Sequence, residues 1–261
     1  MKKEELSLTL THHLCPPHFE LPSMIDKQTI ELAPIAIIRT PYKQKFAIPR
    51  QPGLVKSAFG KIEFLNDYND PNSLRGIEQF SHLWLIFQFH QTVQQGWSPL
   101  VRPPRLGGNA KQGVFATRST FRPNAMGLSV VEFDSISHQN GTLCLNVKGV
   151  DLLDCTPILD IKPYVPYADS IINAQGGYAD SAPAHMAVEF GAEAMQHLMT
   201  LEKRYPQLET LIREVLSQDP RPAYQAKQTS TKEFGMSLYD LNIRWHVVAG
   251  TNQVLSISAI E

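Results

Sequence analysis

The chain contains a series of short apolar runs with strand-like alternation, and this pattern constrains its fold more than any other feature. In the clearest run, residues 82–91, every second residue is large and apolar: Leu83, Leu85, Phe87 and Phe89. Period-two alternation is typical of a half-buried strand. Further strands are predicted at residues 35–38, 61–66, 128–133, 142–150 and 158–162. Because helical periodicity is scarce in this part of the chain, the pattern favours an antiparallel barrel over an alternating α/β sheet.

The connections between the predicted strands are of two kinds. Gln139-Asn140-Gly141 joins two strands and is typical of a tight hairpin. Residues 49–53, 96–113 and 118–127 are instead long connections rich in proline and glycine. Loops of such length within a compact domain usually carry function.

The pattern changes after residue 167. Residues 169–183 read as a linker, 186–191 as a strand, and 193–204 and 207–217 as helices that end before Asp219-Pro220. Residues 232–260 read as two or three strands with a turn at 249–252. We therefore predict a mainly β protein in three parts: an N-terminal extension of low order (1–29), a small antiparallel β-barrel (30–168) and a smaller α+β C-terminal domain (169–261).

Composition favours a globular cytosolic protein over a secreted or membrane protein. The three cysteines are widely spaced and provide no disulfide framework, which fits a reducing compartment. No apolar run approaches the roughly 18 residues that a membrane helix needs, and no apolar segment typical of a signal peptide follows the N-terminus. A cluster in the extension matches no zinc-site spacing, so no metal is expected there: His12, His13, Cys15 and His18.

The net charge of −1 conceals an asymmetry along the chain. Residues 39–122 contain 12 lysines and arginines against 4 acidic residues, a net charge of +8, whereas residues 123–201 contain 2 against 9, a net charge of −7. A positive segment of this kind indicates a polyanionic partner or a phosphate-bearing substrate. Alternatively, the two segments neutralise each other through ion pairs within the fold.

Several common site motifs are absent from the sequence. It contains no P-loop, no dinucleotide-binding glycine motif, no H-E-x-x-H or C-x-x-C, and no G-x-S-x-G. Arginine, proline and small hydroxyl residues instead concentrate at residues 39–53, 118–124 and 151–164. Arginine binds carboxylates and phosphates through its forked donors, although the same residues are also common at surface loop corners.

Longer strings in and around these segments resemble a known family, the TsaA/YaeB-type β-barrel S-adenosylmethionine-dependent methyltransferases. The matching strings are PRQPG, GIEQFSHLWLIFQFHQ, RPPRLGGN, GVFATRSTFRPN and DLLDCTPILDIKPYVP. In addition, LEKRYPQLETLIREVLSQDPRPAY resembles the C-terminal domain of bacterial members. The resemblance runs from about residue 35 to the C-terminus, and nothing is transferred to residues 1–29.

The resemblance implies a fold, a cofactor and a reaction. Members bind S-adenosylmethionine on a small β-barrel without a Rossmann sheet, and they act as homodimers. They methylate N6-threonylcarbamoyladenosine on its N6 nitrogen at position 37, beside the anticodon of a threonine tRNA. We therefore expect a cytoplasmic tRNA methyltransferase. Two alternatives are a non-catalytic RNA-binding barrel and a methyltransferase of the same fold with another substrate.

The resemblance also implies which residues bind the cofactor. Arg118 is expected to bind the cofactor's carboxylate and Asp154 its amino group, while the turn at 153–156 meets its adenine. His90 has an alternative interpretation, as a partly buried histidine at the end of a strand. The complete set is Arg50, Gln51, Pro52, His90, Gln91, Arg118, Leu128, Leu153, Asp154, Cys155 and Thr156.

Candidates for catalysis and RNA binding complete the prediction. Asp160, or a water molecule, is the candidate for taking the N6 proton, and Tyr164 is a second catalytic candidate; a carboxylate such as Asp160 is more often paired with a cation. Phe121 and Tyr164 are candidates for stacking on bases. Phosphate contacts are expected from Lys43, Lys45, Lys56, Arg102, Arg105, Lys111, Arg122 and Arg221.

Overall fold

The computed structural model describes residues 29–221 and 232–260. The predicted N-terminal extension, with its cluster of His12, His13, Cys15 and His18, lies outside the described residues except for residue 29. The described residues from Ala33 onward belong to one compact unit. Within the described ranges, no helix is long and apolar enough to cross a membrane.

Six strands form a barrel: β1 (Ala36–Arg39), β2 (Phe59–Phe64), β3 (His82–Gln88), β6 (Met126–Gln139), β7 (Thr142–Lys148) and β8 (Thr156–Pro163). The barrel closes in the order β1-β2-β7-β6-β3-β8, and neighbouring strands are antiparallel. The prediction of a mainly β, antiparallel barrel is therefore confirmed. The inward residues are apolar and form the core, as Leu83, Leu85 and Phe87 do on β3.

Strand β6 is much longer than its predicted core at residues 128–133. Its first half pairs with β3 and its second half with β7, and the register with β7 shifts between Phe133 and Ser135. The predicted hairpin turn follows at once. Asn140 and Gly141 both adopt positive φ angles, 51° and 80°, which is the geometry that a two-residue turn between twisted strands requires.

The long connection at residues 96–113 contains a small two-stranded sheet that the sequence pattern does not reveal. Strands β4 (Leu100–Val101) and β5 (Gln112–Gly113) pair as an antiparallel hairpin. Two residues per strand are too few to display a period. The connection also contains one 3-10 turn at Pro104–Leu106, and two more flank it at Val93–Gln95 and Val114–Ala116.

The C-terminal part forms a four-stranded sheet with two helices, as predicted. The sheet order is β10-β11-β12-β9, in which β12 and β9 are parallel. Helix α3 buries its apolar face, and its end is tied to the sheet where the Asn252 amide donates to the Leu216 carbonyl at 3.0 Å. The elements are β9 (Ala187–Phe190), α2 (Ala192–Leu201), α3 (Leu208–Ser217), β10 (Phe234–Leu238), β11 (Leu241–Val248) and β12 (Thr251–Ala259), and the short helix α1 (Pro166–Asp169) precedes them in the connection after β8.

The C-terminal elements pack against the loop that follows β1. Tyr42 is fully buried and forms a β-bridge with Leu238, and the Tyr239 N–H donates to the Pro41 carbonyl at 2.8 Å. The carboxylate of Glu214 on α3 accepts from both the backbone N–H and the hydroxyl of Ser57, at 2.9 and 2.7 Å. These contacts anchor the loop after β1 to the C-terminal elements at Pro41, Tyr42 and Ser57.

Candidate functional site

Three long connections emerge at the same end of the barrel. Because neighbouring strands are antiparallel, connections alternate between the two ends, and those at residues 40–58, 89–125 and 149–155 share one end. We call this the loop end. It gathers three of the four segments that carry the predicted cofactor residues: the 50–52 segment, the 90–91 segment with Arg118, and the turn at 153–156.

Hydrogen bonds tie the three connections to one another. The Arg118 guanidinium donates to the Gln51 side-chain oxygen, joining the second connection to the first. The Gly53 N–H donates to the Gly149 carbonyl at 2.8 Å, joining the first to the third. Gly149 has a φ of 71°, and a Cβ there would lie 3.3 Å from the Gly53 Cα, so glycine suits both its conformation and this close approach.

Asp154 is held at the corner between β1 and β8. Its carboxylate accepts from the Thr40 N–H at 2.9 Å and from Lys43 Nζ at 2.6 Å. Burial alone would raise the pKa of Asp154, but the bonds from Lys43 and Thr40 outweigh it and hold the pKa below its ordinary value. The carboxylate is therefore charged at neutral pH and already has two donors.

The turn at 153–156 is built around Cys155. Its φ of 62° lies in the left-handed region, its N–H donates to the Ile38 carbonyl, and its Sγ lies 2.9 Å from the Arg39 guanidinium. Thr156 is buried and closes the turn by donating from its hydroxyl to the Leu153 carbonyl at 2.7 Å. The backbone of this turn is thus fixed at the loop end.

His90 and Leu128 have different surroundings. His90 is half-buried just beyond β3, and burial lowers its pKa, with partial opposition from the negative charge of Asp154. The imidazole is therefore neutral at pH 7. Leu128 lies on the outer face of β6, paired with Ile86, and is 54% exposed. It lies outside the barrel core, whereas Gln91 is an exposed residue of the connection after β3.

The two catalytic candidates are not brought to the loop end. Asp160 is exposed in the middle of β8, opposite Ile86, and its carboxylate accepts from the N–H of Ile161. Tyr164 follows the far end of β8, where its ring packs against His82 and Trp84. Since a strand rises about 3.3 Å per residue, Tyr164 lies roughly 25 Å along the chain from the 153–156 turn. Distance therefore separates Tyr164 from the predicted cofactor residues.

Asp151 is a loop-end residue that begins the segment 151–164 but is not among the site residues predicted from the sequence. Burial raises its pKa to about 6, although the Ser129 hydroxyl, its own backbone N–H and the charge of Arg118 partly oppose this. Its Oδ1 is inaccessible to solvent and has no hydrogen-bond partner among the described residues. The Tyr42 hydroxyl is also buried and has no hydrogen-bond partner among the described residues. The burial of these two oxygens and their lack of hydrogen-bond partners are visible only in the folded structure, because residues distant in sequence surround them.

The basic segment is largely free of internal ion pairs. Among the described residues, one ion pair joins the positive segment 39–122 to the acidic segment 123–201, that of Lys43 with Asp154. Arg39 and Lys61 both pair with Glu63 inside the positive segment. Mutual neutralisation therefore accounts for little of the +8 charge, and the first interpretation, a polyanionic partner, is favoured.

The β4–β5 hairpin presents part of this charge to solvent. Arg102 and Lys111 are exposed at its two strand ends, and Arg105 on its tip donates to the carbonyl and the hydroxyl of Ser181. Two exposed aromatic side chains lie nearby in sequence, Trp97 (54% exposed) and Phe115 (75%). Sequence reasoning missed both, since an aromatic residue in a loop gives no signal of its exposure.

The other predicted RNA contacts differ in their exposure and in whether they already have hydrogen-bond partners within the protein. Lys56 is exposed and lines a cavity of about 330 Å³ together with His185 and Arg213. Arg122 donates to the carbonyls of Val114 and Thr117 within its own loop. Arg221 is 8% exposed and pairs with the carboxylate of Asp219 through two hydrogen bonds, at 2.6 and 2.9 Å. In this structure Arg122 and Arg221 organise their own segments.

A second cavity lies between the loop after β1 and the end of α3. Its volume is about 270 Å³, and it brings Arg50, a predicted cofactor residue, close to Arg221, a predicted RNA contact. Lys45 and Phe46 also line it. Gln51, His90, Arg118 and Asp154 are not among its lining residues. The cavity therefore lies beside the predicted cofactor residues of the loop end, of which only Arg50 lines it.

Comparison with known families agrees with this arrangement of a barrel and a C-terminal sheet. The N-terminal domain model of tRNA-methyltransferase O matches residues 37–170, and the TrmO C-terminal domain model matches residues 183–260. The chain belongs to the tRNA-methyltransferase O family. The resemblance found in the sequence is thereby confirmed.

Relatives of the chain match it over most of its length. It is 54% identical over 224 residues to the tRNA (adenine(37)-N6)-methyltransferase of Escherichia coli K12, covering 85% of this chain and 95% of that protein. It is 47% identical over 219 residues to a putative S-adenosylmethionine-dependent methyltransferase of Pseudomonas aeruginosa, covering 84% and 93%. A crystal structure of TrmO from Pseudomonas aeruginosa superimposes with a TM-score of 0.74 at 39% identity, covering 89% of this chain and 99% of that one.

Proposed function

We propose that the protein is an S-adenosylmethionine-dependent tRNA methyltransferase that methylates the N6 nitrogen of adenine 37. The observation that carries this proposal is the convergence of Gln51, Arg118, His90 and the 153–156 turn at one end of the barrel, in a chain of the tRNA-methyltransferase O family. A cytoplasmic location belongs to the same proposal, since tRNA is the substrate.

The loop-end residues fit this cofactor by their chemistry. When bound, S-adenosylmethionine would supply an electrophilic methyl group for N6; the methyl–sulfur bond would break and the N6 proton would pass to a base or a water molecule. Arg118 offers a forked cationic donor for a carboxylate, and the 153–156 turn offers a fixed backbone for an adenine edge. His90 is neutral at pH 7 because burial lowers its pKa. The protein's contribution is to orient the reactants and exclude water.

We further propose that the substrate base is N6-threonylcarbamoyladenosine beside the anticodon of threonine tRNA. The family resemblance implies this base, and the exposed charge of the β4–β5 hairpin, with Trp97 and Phe115 available to stack on bases, fits the loop of an RNA. A water molecule is the proposed acceptor of the N6 proton, because Asp160, the other candidate, lies exposed on the outer face of β8 and away from the loop end. Mass spectrometry of tRNA nucleosides from a deletion strain tests the substrate: the unmethylated threonylcarbamoyl nucleoside is expected to accumulate.

Arg118→Ala is expected to weaken cofactor binding by about 1–3 kcal/mol, the usual range for a lost charge-assisted hydrogen bond. Calorimetric titration with S-adenosylmethionine measures the change. Arg244→Ala is the matched control, because Arg244 lies on β11 and pairs with Glu233. Equal affinities of wild type and Arg118→Ala would remove Arg118 from the site. Failure of the wild-type protein to bind would favour the non-catalytic RNA-binding barrel.

Replacing Arg102 and Lys111 together by alanine is expected to weaken tRNA binding and to reduce its salt slope by about 2, because each phosphate contact releases about one counterion. Cofactor affinity is expected to stay unchanged. The measurement is tRNA affinity as a function of salt concentration. Lys203→Ala is the control, since Lys203 is exposed near the end of α2. An unaltered slope in the double variant would mean that the hairpin does not contact phosphate.

The proposal includes a homodimer. On the outer face of the barrel, Met126, Leu128 and Ile86 form an apolar patch beside the loop end, and Leu128 is 54% exposed. A two-fold interface on this patch would bring the Arg50–Gly53 or Arg118–Asn124 loop of one protomer toward the site of its partner. It would also account for Leu128 among the predicted cofactor residues.

Light scattering is expected to report about twice the chain mass of 29.3 kDa, and Leu128→Asp is expected to shift the protein toward the monomer. Ile136→Asp provides a control, because Ile136 is also partly exposed on β6 but lies in its second half, away from the patch. A stable wild-type monomer with full methyltransferase activity would contradict the dimer.

A further inference from the structure

We propose that Asp151 and Arg118 together bind the amino-acid end of the methyl donor, with Asp151 as the counter-ion of its ammonium group. This inference rests on the proposed function, since it takes the loop end to be the cofactor site. It differs from the assignment implied by family resemblance, in which Asp154 binds the amino group.

Asp151 lies where such a ligand would need it. It stands in the connection that follows β7, at the loop end, and faces Ser129 on the inner side of β6. Arg118 is close enough to influence it electrostatically, yet the Arg118 guanidinium donates to Gln51. An α-amino acid carries one positive and one negative group on the same carbon, so neighbouring carboxylate and guanidinium groups complement it.

The unpaired oxygen of Asp151 supplies a reason to bind a cation. Its Oδ1 is buried and has no hydrogen-bond partner among the described residues. A buried polar atom without a partner costs free energy that a bound donor would recover. An ammonium group offers three donors together with the opposite charge. The buried and equally unpaired Tyr42 hydroxyl lies within electrostatic reach and adds a second polar atom to this place.

Asp154 offers less to an ammonium group. Both of its carboxylate oxygens already accept hydrogen bonds, Oδ1 from the Thr40 N–H and Oδ2 from Lys43 Nζ. Binding there would compete with an ion pair that the protein supplies itself. Asp151 forms no ion pair among the described residues, although the charge of Arg118 acts on it, and its Oδ1 is still without a hydrogen-bond partner for an incoming ammonium group.

The inference predicts a proton signature. The pKa of Asp151 is raised to about 6, mainly by burial, and a bound ammonium group would lower it. Binding near pH 6 therefore releases protons from Asp151. The charged or titratable groups that face Asp151 are Arg118 and Tyr42, and Tyr42 stays neutral because burial raises its pKa well above the ordinary value. The charge that acts on the half-buried His90 is that of Asp154, which partly opposes the lowering of the His90 pKa by burial.

The experiment is calorimetric titration of the full-length protein with S-adenosylmethionine at pH 6.0, in buffers of different ionisation enthalpy. Wild type is expected to release about half a proton per cofactor bound, because a group at its pKa is half protonated. Asp151→Asn is expected to abolish this release and to weaken binding at pH 7.5 by about tenfold or more. Asp134→Asn is the matched control, since Asp134 is a barrel aspartate paired with Lys148, and is expected to behave as wild type.

Carboxyl NMR of wild-type protein provides a second measurement that needs no variant: the titration midpoint of Asp151 is expected to fall when cofactor is added. Unchanged proton release and affinity in Asp151→Asn would overturn the inference. Loss of the release in Asp154→Asn or His90→Gln, with Asp151→Asn retaining it, would also overturn it. A wild-type protein that binds no cofactor at all would instead refute the proposed function, and this inference with it.

Discussion

Replacing Leu85 by alanine is expected to lower the free energy of unfolding by about 2–5 kcal/mol. Leu85 lies at the centre of β3, is fully buried and packs inside a barrel whose strands close on one another. A closed sheet cannot easily collapse around a lost side chain, so a cavity remains and its walls lose contacts. Urea denaturation followed by far-UV circular dichroism measures the effect.

Leu100→Ala is the control for this prediction. The same atoms are removed, but Leu100 lies on β4 and is 53% exposed, so the expected change is within about 0.5 kcal/mol. A loss below about 1 kcal/mol for Leu85→Ala, or equal losses in the two variants, would contradict the packing of β3 described above.

Asp151→Asn is expected to stabilise the folded protein without cofactor by about 2–3 kcal/mol at pH 7.5. The pKa of Asp151 rises from 3.8 to about 6 on folding, because burial disfavours the charged carboxylate. The folded state therefore binds the proton more tightly, and wild-type stability falls as the pH rises from about 4 to about 6. A tenfold difference in proton affinity between the folded and unfolded states corresponds to about 1.4 kcal/mol. Below about pH 4 the two proteins are expected to be equally stable.

Unfolding measured from pH 3.5 to 8 in wild type and variant tests this pH dependence. Asp134→Asn should change stability in the opposite direction above pH 4, since hydrogen bonding to Lys148 lowers the pKa of Asp134. The prediction is contradicted if the free energies of unfolding of wild type and Asp151→Asn differ by the same amount at every pH. Ionisation of Asp151 would then not destabilise the folded protein. If the prediction holds, the chain retains a destabilising carboxylate at its site, as expected of a residue kept for binding.

The strands and helices were largely predictable because their signals are local. The alternation of Leu83, Leu85 and Phe87 required no knowledge of neighbouring strands, since one buried face per strand imposes a period of two. Similarly, Asn140-Gly141 predicted the β6–β7 turn through its own backbone preferences. The length of β6 was not predictable, because its second half is set by pairing with β7.

The candidate site was also predictable only in part. Family resemblance pointed to Arg118 and Gln51, and folding brings them into contact across 67 positions of sequence. Family resemblance did not indicate that Lys43 would form an ion pair with Asp154, or that Tyr164 would lie at the far end of β8. The roles of these residues in binding stay predictions until the experiments above are done.

What the sequence by itself determined is the set of elements, the mainly β class and the family, because periodicity, turn residues and long motifs are all written locally. Only the tertiary structure decided which side chains meet. Barrel closure and strand register bring residues 40–58, 89–125 and 149–155 to one end. Contacts between these segments then give some polar side chains hydrogen-bond partners and leave others without one. Among the described residues, Asp154 obtains a lysine and Asp151 does not, although the two aspartates stand three positions apart in the same loop. That difference depends on contacts between segments more than 100 residues apart, which no local pattern records.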